Sequence, residues 1–210
     1  MAHFEEAYKK TLSLEGGYAK DPHDAGGETY KGVSRRFNPS WIGWRLIDEL
    51  KVQSESAPPF PESLEQSHEL QAEVQVFYKQ HYWDKFRGDE IQDQALAEEL
   101  FDTGVNMGVH RAVTFLQEGL NLLNRNQENY LDIAEDGRLG PRTLKVLKAA
   151  LRVEGGDPSY LLKIMNILQG RHYIEYMKRN PAQEKYARGW LRRVEIRKAR
   201  PVEDVNTTVL

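Results

Sequence analysis

The chain has 210 residues, of which 40% are hydrophobic and 29% charged, and it is long enough for one good core or two small ones. A net charge of -3 gives no general attraction to nucleic acid or to an anionic membrane. The absence of cysteine excludes disulfides, thiolate zinc sites and cysteine nucleophiles. Any catalysis must therefore use carboxylates, histidines or hydroxyls.

The N-terminus lacks the features of an export signal. The segment "MAHFEEAYKK" has no apolar run, and no part of the chain approaches the roughly 18 consecutive apolar residues of a membrane helix. We therefore expect a protein that is made in the cytoplasm and is not stably inserted in a membrane. If it acts outside the cytoplasm, a separate export route is needed.

The chain is predicted to be mainly helical. A first helix is expected over residues 3–15, where two glycines follow as a stop signal. Residues 16–34 read as turns with at most a short β-hairpin, since only "ETYKGVS" at their end has strand-like residues. Further helices are predicted over 41–53, 63–86, 91–106, 111–123, from Pro141 onward, 158–179 and 182–198. The last residues, 201–210, are expected to form a frayed polar tail.

Glu15 ends the first helix on its apolar face. Phe4 and Tyr8 lie eleven and seven residues earlier, which places both within roughly 20° of Glu15 around the helix. Partial burial and the negative end of the helix dipole would both raise the pKa of this carboxyl. A general acid needs such a raised pKa, because it must still hold its proton near neutral pH. A glutamate that simply bends into solvent before a glycine cap fits the same sequence pattern.

The residues that follow favour the catalytic interpretation. Asp24 comes nine residues after Glu15 and Thr29 five residues later, on a glycine-rich loop that can fold back closely. A protonated carboxyl facing an ionised carboxylate is the arrangement used in glycoside hydrolysis. Asp21 competes for the second role, but an Asp before proline more often caps its own turn.

The stretch "EGGYAKDPHDAGGETYKGVS" resembles the signature of glycoside hydrolase family 108, whose members are N-acetylmuramidases. The resemblance continues through "FYKQHYWDKF", "LFDTGVNMGVHRAVTFLQ" and "DGRLGPRTL" to "GWLRRV". Phage-type lysozymes are more distantly similar, and they share the spacing of Glu15 and Asp24. Their threonine comes six residues after the aspartate, where this chain has Tyr30, with Thr29 at five.

This resemblance implies a peptidoglycan hydrolase with a lysozyme-like helical fold. It implies that Glu15 protonates the leaving oxygen of the β-1,4 bond between N-acetylmuramic acid (MurNAc) and N-acetylglucosamine (GlcNAc), with Asp24 and Thr29 assisting. We expect a catalytic part at 1–90 and a peptidoglycan-binding-like part at 91–195, packed as one compact unit. A lytic transglycosylase and a non-catalytic module for wall binding or export remain alternatives.

The C-terminal half contains "DGRLGPRTL", which resembles the turn motif of peptidoglycan-binding modules. Asp136, Gly137, Gly140 and Pro141 would be needed for a tight turn and a helix start alone, so a purely structural role is equally open.

Additional substrate contacts are predicted on other side chains. Tyr18, Tyr30, Trp83 and Trp190 are candidates to stack on sugar rings, although a core position is the commoner role of such residues. Asp102 and Asn106 share a helix face, where they either brace a loop or contact sugar hydroxyls and acetamide groups.

Metals and cofactors are not expected. The six histidines show no pair on one helix face with an acidic third ligand, so we predict no metal site, and the proposed reaction needs no cofactor. The expected partner is peptidoglycan, bound by a monomer that reaches the cell wall by export or by holin-type release.

Overall fold

The computed structural model describes residues 1–12, 16–20, 27–52 and 58–194. These residues form mainly helices with one small antiparallel sheet, which confirms the predicted mainly α, lysozyme-like fold class. The chain divides into two compact units, Met1–Val109 and His110–Leu210. None of the helices in the described ranges is long and apolar enough to cross a bilayer.

The first unit contains a packed pair of helices, α1 (Phe4–Leu12) and α5 (Gln94–Met107). The buried residues of α1 lie three and four positions apart and so share one face: Phe4, Ala7 and Thr11. The ring of Phe4 meets that of Phe101 on α5 edge-on, with centroids 5.7 Å apart. Residues 94–107 thus belong to the first unit. The predicted end of the first helix, at Glu15, lies outside the described residues.

A three-stranded antiparallel sheet follows in the order β1 (Tyr18–Lys20), β2 (Glu28–Tyr30) and β3 (Val33–Ser34). The turn between β2 and β3 has positive φ at both central residues, 43° at Lys31 and 77° at Gly32, as the favoured two-residue hairpin turn requires. The sequence predicts at most one hairpin here. The structure adds β1, whose three residues are too few to show a strand periodicity.

Helices and irregular turns connect the sheet to α5: α2 (Gly43–Val52), α3 (Ser63–Gln66), α4 (His68–Tyr78), a π-helical turn (Lys79–Trp83) and 3₁₀ turns (Asp84–Phe86 and Gly88–Glu90). The sequence predicts one helix over 63–86, which the structure divides. Ser67 is extended and starts α4, because its hydroxyl accepts the amide of Leu70 at 3.3 Å. Arg87, with a left-handed φ of 55°, ends the first 3₁₀ turn.

Helices again dominate after α5: α6 (Val109–Leu123), α7 (Pro141–Val153), α8 (Ser159–Arg179), a 3₁₀ segment (Pro181–Tyr186) and α9 (Ala187–Leu191). Pro141 occupies the first turn of α7, as predicted. The helix predicted over 182–198 is instead a 3₁₀ segment and a five-residue helix. Gly189 lies inside α9, where a glycine weakens a helix. Residues from 195 onward lie outside the described part of the chain.

Candidate active site

The two predicted catalytic carboxylates, Glu15 and Asp24, and the competing Asp21 lie outside the described residues. Their places along the chain are nevertheless defined by their neighbours. Glu15 directly precedes Gly16, which leads into β1, and Asp24 lies on the connection between β1 and β2. Thr29, the third predicted catalytic residue, is the central residue of β2.

Thr29 lies on the face of the small sheet opposite to Glu28 and Tyr30. It pairs with Ala19 of β1, which is exposed, and with Ser34 of β3. Because side chains alternate along a strand, Glu28 and Tyr30 point to the opposite face, where Tyr30 is buried. Thr29 itself is half-buried.

The opposite face carries a network of charges around Glu28. The side chain of Glu28 is only 10% exposed, and its carboxylate accepts a hydrogen bond from the Tyr18 hydroxyl at 2.8 Å and one from the Lys51 ammonium. The Arg35 guanidinium lies 3.1 Å from the same carboxylate and makes two hydrogen bonds to Asp48, at 3.0 and 2.8 Å. The network therefore ties β1, β2 and the end of β3 to α2.

This network lowers the pKa of Glu28 below its ordinary value. Burial raises the pKa, but hydrogen bonds from Lys51 and Tyr18 and the charges of Lys51 and Arg35 outweigh burial. A lowered pKa in the folded state means that ionised Glu28 stabilises the fold above the unfolded pKa of about 4.3. That contribution is lost as the pH falls through the folded value.

Glu28→Gln is expected to lower the free energy of unfolding by about 1–3 kcal/mol at pH 7, because the amide loses the charge-assisted hydrogen bonds and leaves Lys51 and Arg35 without their shared anion. The difference from wild type should shrink as the pH falls below the unfolded pKa of about 4.3 and through the lowered folded pKa, where the wild-type carboxyl itself takes up a proton. Thermal and denaturant unfolding followed by circular dichroism between pH 3 and 7 measures both effects.

The matched control is Glu49→Gln, which alters a carboxylate on α2, the helix that carries Lys51. Its side chain is 57% exposed and lies 3.8 Å from Arg45, so the expected change is within about 0.5 kcal/mol. An effect of Glu28→Gln that stays the same at pH 3 and pH 7 would contradict the role of the ionised carboxylate.

Two predicted stacking residues are core residues, and this corrects the sequence analysis. Trp83 is fully buried, and its indole N–H donates to Asp89 Oδ1 at 2.7 Å. Tyr30 is 1% exposed, and its hydroxyl accepts from Gln71 at 2.8 Å and donates to Glu65 at 3.2 Å. Neither ring has a face open to a sugar, because both fill the interior of the first unit.

Tyr18 is half-buried and has close neighbours. Its ring meets that of Phe60 edge-on at 4.8 Å, and the Lys51 ammonium lies 5.4 Å from its centroid. Trp190 lies in the second unit, where it is half-buried and stacks on Tyr173 with centroids 5.2 Å apart. Contact of Tyr18 or Trp190 with a sugar stays a prediction.

Asp102 and Asn106 lie on α5 and are both half-buried. The Asn106 amide nitrogen donates to the backbone carbonyl of Asp102 at 2.8 Å, one turn earlier in the same helix. This hydrogen bond fits a bracing role for Asn106, and contact of either residue with sugar hydroxyls or acetamide groups stays a prediction.

The motif "DGRLGPRTL" forms a tight turn in the second unit. Asp136 Oδ1 accepts from the Arg138 amide at 3.0 Å and from the Gln117 side chain at 2.9 Å. Gly137 has a φ of 66°, and its amide donates to Gln117 Oε1 at 2.9 Å. A Cβ at Gly137 would lie 2.5 Å from the His110 ring. The turn alone accounts for an Asp and a Gly at 136 and 137.

Sequence reasoning missed Glu28, Arg35 and Lys51 as a group. The available signal was the alternation in β2, since a glutamate that shares a strand face with a buried tyrosine needs a cationic partner. No pattern in the sequence indicates that the partners come from residues 35 and 51. Among the described residues, no group of three or more histidines and carboxylates is arranged to hold a metal ion.

Comparison with known proteins finds two matching families and a similar solved structure. Residues 8–108 match the family described as glycosyl hydrolase 108, and residues 111–195 match a predicted peptidoglycan domain. The structure of Brucella abortus SagA is similar, with a TM-score of 0.57 and 19% identity over 91% of this chain and 88% of that one. At this identity the likeness shows the fold alone. No curated protein matches the sequence.

Proposed function

We propose that this chain, whose residues 8–108 match glycosyl hydrolase family 108, is an N-acetylmuramidase that cleaves the β-1,4 bond between MurNAc and GlcNAc. The family match supports a glycoside hydrolase, and the match of residues 111–195 to a predicted peptidoglycan domain supports peptidoglycan as its substrate or partner. The observation that carries the finer proposal is that the family match includes the whole segment from Glu15 to Ser34.

The proposed chemistry assigns one role to each of three residues. Glu15 holds a proton and donates it to the glycosidic oxygen as the bond breaks. Asp24 stays ionised and either positions water or stabilises the positive charge that develops on the sugar. Thr29 assists from the face of β2 opposite to Glu28. The Glu28 network supports this arrangement because it fixes the strand that carries Thr29 from the opposite face.

The fragments that the protein releases from purified sacculi distinguish this reaction from the alternative reactions. Release of fragments with reducing muramic ends, identified by mass spectrometry, is the expected result. Anhydro-muramic ends would instead show a lytic transglycosylase, which uses the sugar's own hydroxyl in place of water. Binding without release would show a wall-binding module, a candidate that the predicted peptidoglycan domain favours.

The choice of second carboxylate is also testable. Asp24→Asn is expected to reduce the rate of sacculus cleavage more than Asp21→Asn, because Asp21 precedes proline and is suited to cap its own turn. Both variants are measured with the same sacculi, after circular dichroism shows that they are folded. A collapse of activity at Asp21 with near-normal activity at Asp24 would reverse the assignment.

We further propose that the protein acts on the cell wall as a monomer without a cofactor, after export or holin-type release. Sedimentation tests the monomeric state. Activity of the protein on sacculi in the presence of a chelator tests whether a metal cofactor is needed.

A further inference from the structure

The turn between β2 and β3 has a strained residue that is hydrogen-bonded to the segment directly after Glu15 in the chain. Lys31 has a φ of 43°, a left-handed conformation that costs free energy in any residue with a Cβ and persists only where its surroundings hold it. Its amide donates to the carbonyl oxygen of Gly17 at 3.2 Å. Gly17 follows Glu15 by two residues, so this hydrogen bond anchors the chain two residues after the proposed general acid.

Each polar group of Lys31 is held by another part of the first unit. Its amide is bound by Gly17, and its carbonyl oxygen accepts the hydroxyl of Tyr78 at 2.6 Å. Its ammonium donates to Glu65 at 2.8 Å and to Gln71 at 2.7 Å. The strained turn is therefore fixed from α3 and α4.

Tyr78 also contacts the chain on the other side of Glu15. Its ring lies edge-on to that of Tyr8, with centroids 5.9 Å apart, and Tyr8 belongs to α1, seven residues before Glu15. Burial and the nearby Glu65 carboxylate raise the pKa of Tyr8 to about 12, so Tyr8 stays neutral in this packing. Tyr78 is itself 2% exposed. One buried side chain thus supports the segments that enter and leave Glu15.

We propose that Tyr78 is a positioning residue for the general acid. Its hydroxyl holds Lys31 and through it the backbone at Gly17, while its ring supports α1. General acid catalysis needs the proton donor within hydrogen-bond reach of the leaving oxygen, and a small displacement of a catalytic group reduces the rate strongly. The inference rests on the proposed role of Glu15, but it assigns a task to a residue on α4, far along the chain from the Glu15 motif.

The test is Tyr78→Phe, which keeps the ring against Tyr8 and removes only the hydroxyl. We expect kcat on soluble peptidoglycan fragments to fall about tenfold or more, with KM nearly unchanged, because no substrate contact is removed. Tyr130→Phe is the matched control, since the Tyr130 hydroxyl also donates to a backbone carbonyl, that of Leu120 at 2.9 Å, in the second unit. Its kcat should stay at the wild-type value.

A cycle with Glu15→Gln separates positioning from a general structural effect. In the Glu15→Gln background, Tyr78→Phe should cause no further loss, because the carboxyl through which Tyr78 acts is gone. Rates are compared at a temperature where circular dichroism shows every variant fully folded.

Three outcomes would overturn the inference while leaving the proposed function intact. These are an unchanged kcat in Tyr78→Phe, an equal loss with and without Glu15, or an equal loss in Tyr130→Phe. Near-wild-type activity of Glu15→Gln alone would instead reject the role of Glu15, and the inference with it.

Discussion

Glu15→Gln is expected to fold as wild type does and to lose nearly all wall-lysing activity, with a decrease in rate of ~10² to 10⁴. The amide has the shape of the carboxyl but cannot donate a proton, so the leaving sugar would have to depart as an alkoxide. The sequence spacing predicts that Glu15 shares a helical face with Phe4 and Tyr8, and partial burial there would raise its pKa so that the proton is available near neutral pH. Turbidity of a sacculus suspension measures the rate.

The matched control for this substitution is Glu6→Gln in α1. Glu6 is exposed in the first turn of α1, so the same change in charge should leave both activity and melting temperature nearly unaltered. Glu15→Gln activity within a few-fold of wild type would show that another group supplies the proton.

The sequence predicts correctly those parts of the fold in which apolar residues recur with a regular period over a long segment. The helices at 94–107, 109–123 and 159–179 agree with expectation within a few residues, because their apolar periodicity extends over several turns. The predicted helix at 63–86 is interrupted at Ser67, whose side chain caps α4, and after Tyr78 it changes to a π-helical turn and a 3₁₀ turn. Such features depend on local geometry that periodicity does not report.

The candidate site also has a part that the sequence predicts and a part that it does not. A motif places Glu15, Asp24 and Thr29 close together in sequence, so their association can be proposed from the chain alone. The supports of that motif cannot, because Tyr78 and Lys51 reach it from other helices, and only the folded chain brings them to β1 and β2. For the aromatic residues the sequence predicts too much. Residue type alone makes Trp83 a candidate for stacking on a sugar, whereas its burial in the folded chain makes it a core residue.

A fragment that ends at residue 90 is expected to be insoluble or inactive. It lacks α5, whose fully buried side chains are Leu96, Ala97, Leu100 and Phe101. Burial of a large apolar side chain contributes about 1.5–3 kcal/mol, so the three large ones together approach the whole stability of a typical domain. The fragment also loses the ion pair of Lys10 with Glu98 at 3.0 Å and the hydrogen bond from the Ala2 amide to the Ile91 carbonyl at 2.8 Å.

Two longer fragments identify the cause of that failure. A fragment ending near residue 202 loses only the last, polar part of the sequence and is expected to keep full activity. A fragment ending at residue 109 restores α5 and completes the first unit. Cooperative melting of this fragment would assign the failure at 90 to the loss of α5, whereas its failure would show that the first unit also depends on the second.

The measurements are circular dichroism melting and sacculus turbidity on all three fragments and the full chain. We expect no cooperative transition for residues 1–90, because α1 then exposes Phe4 and Ala7, which are buried in the full chain. Residues 1–90 that melt cooperatively and still cleave the wall would disprove the prediction that the two parts form one compact unit. The chain from residue 91 onward would then be a separate targeting module, attached to a catalytic part that folds without it.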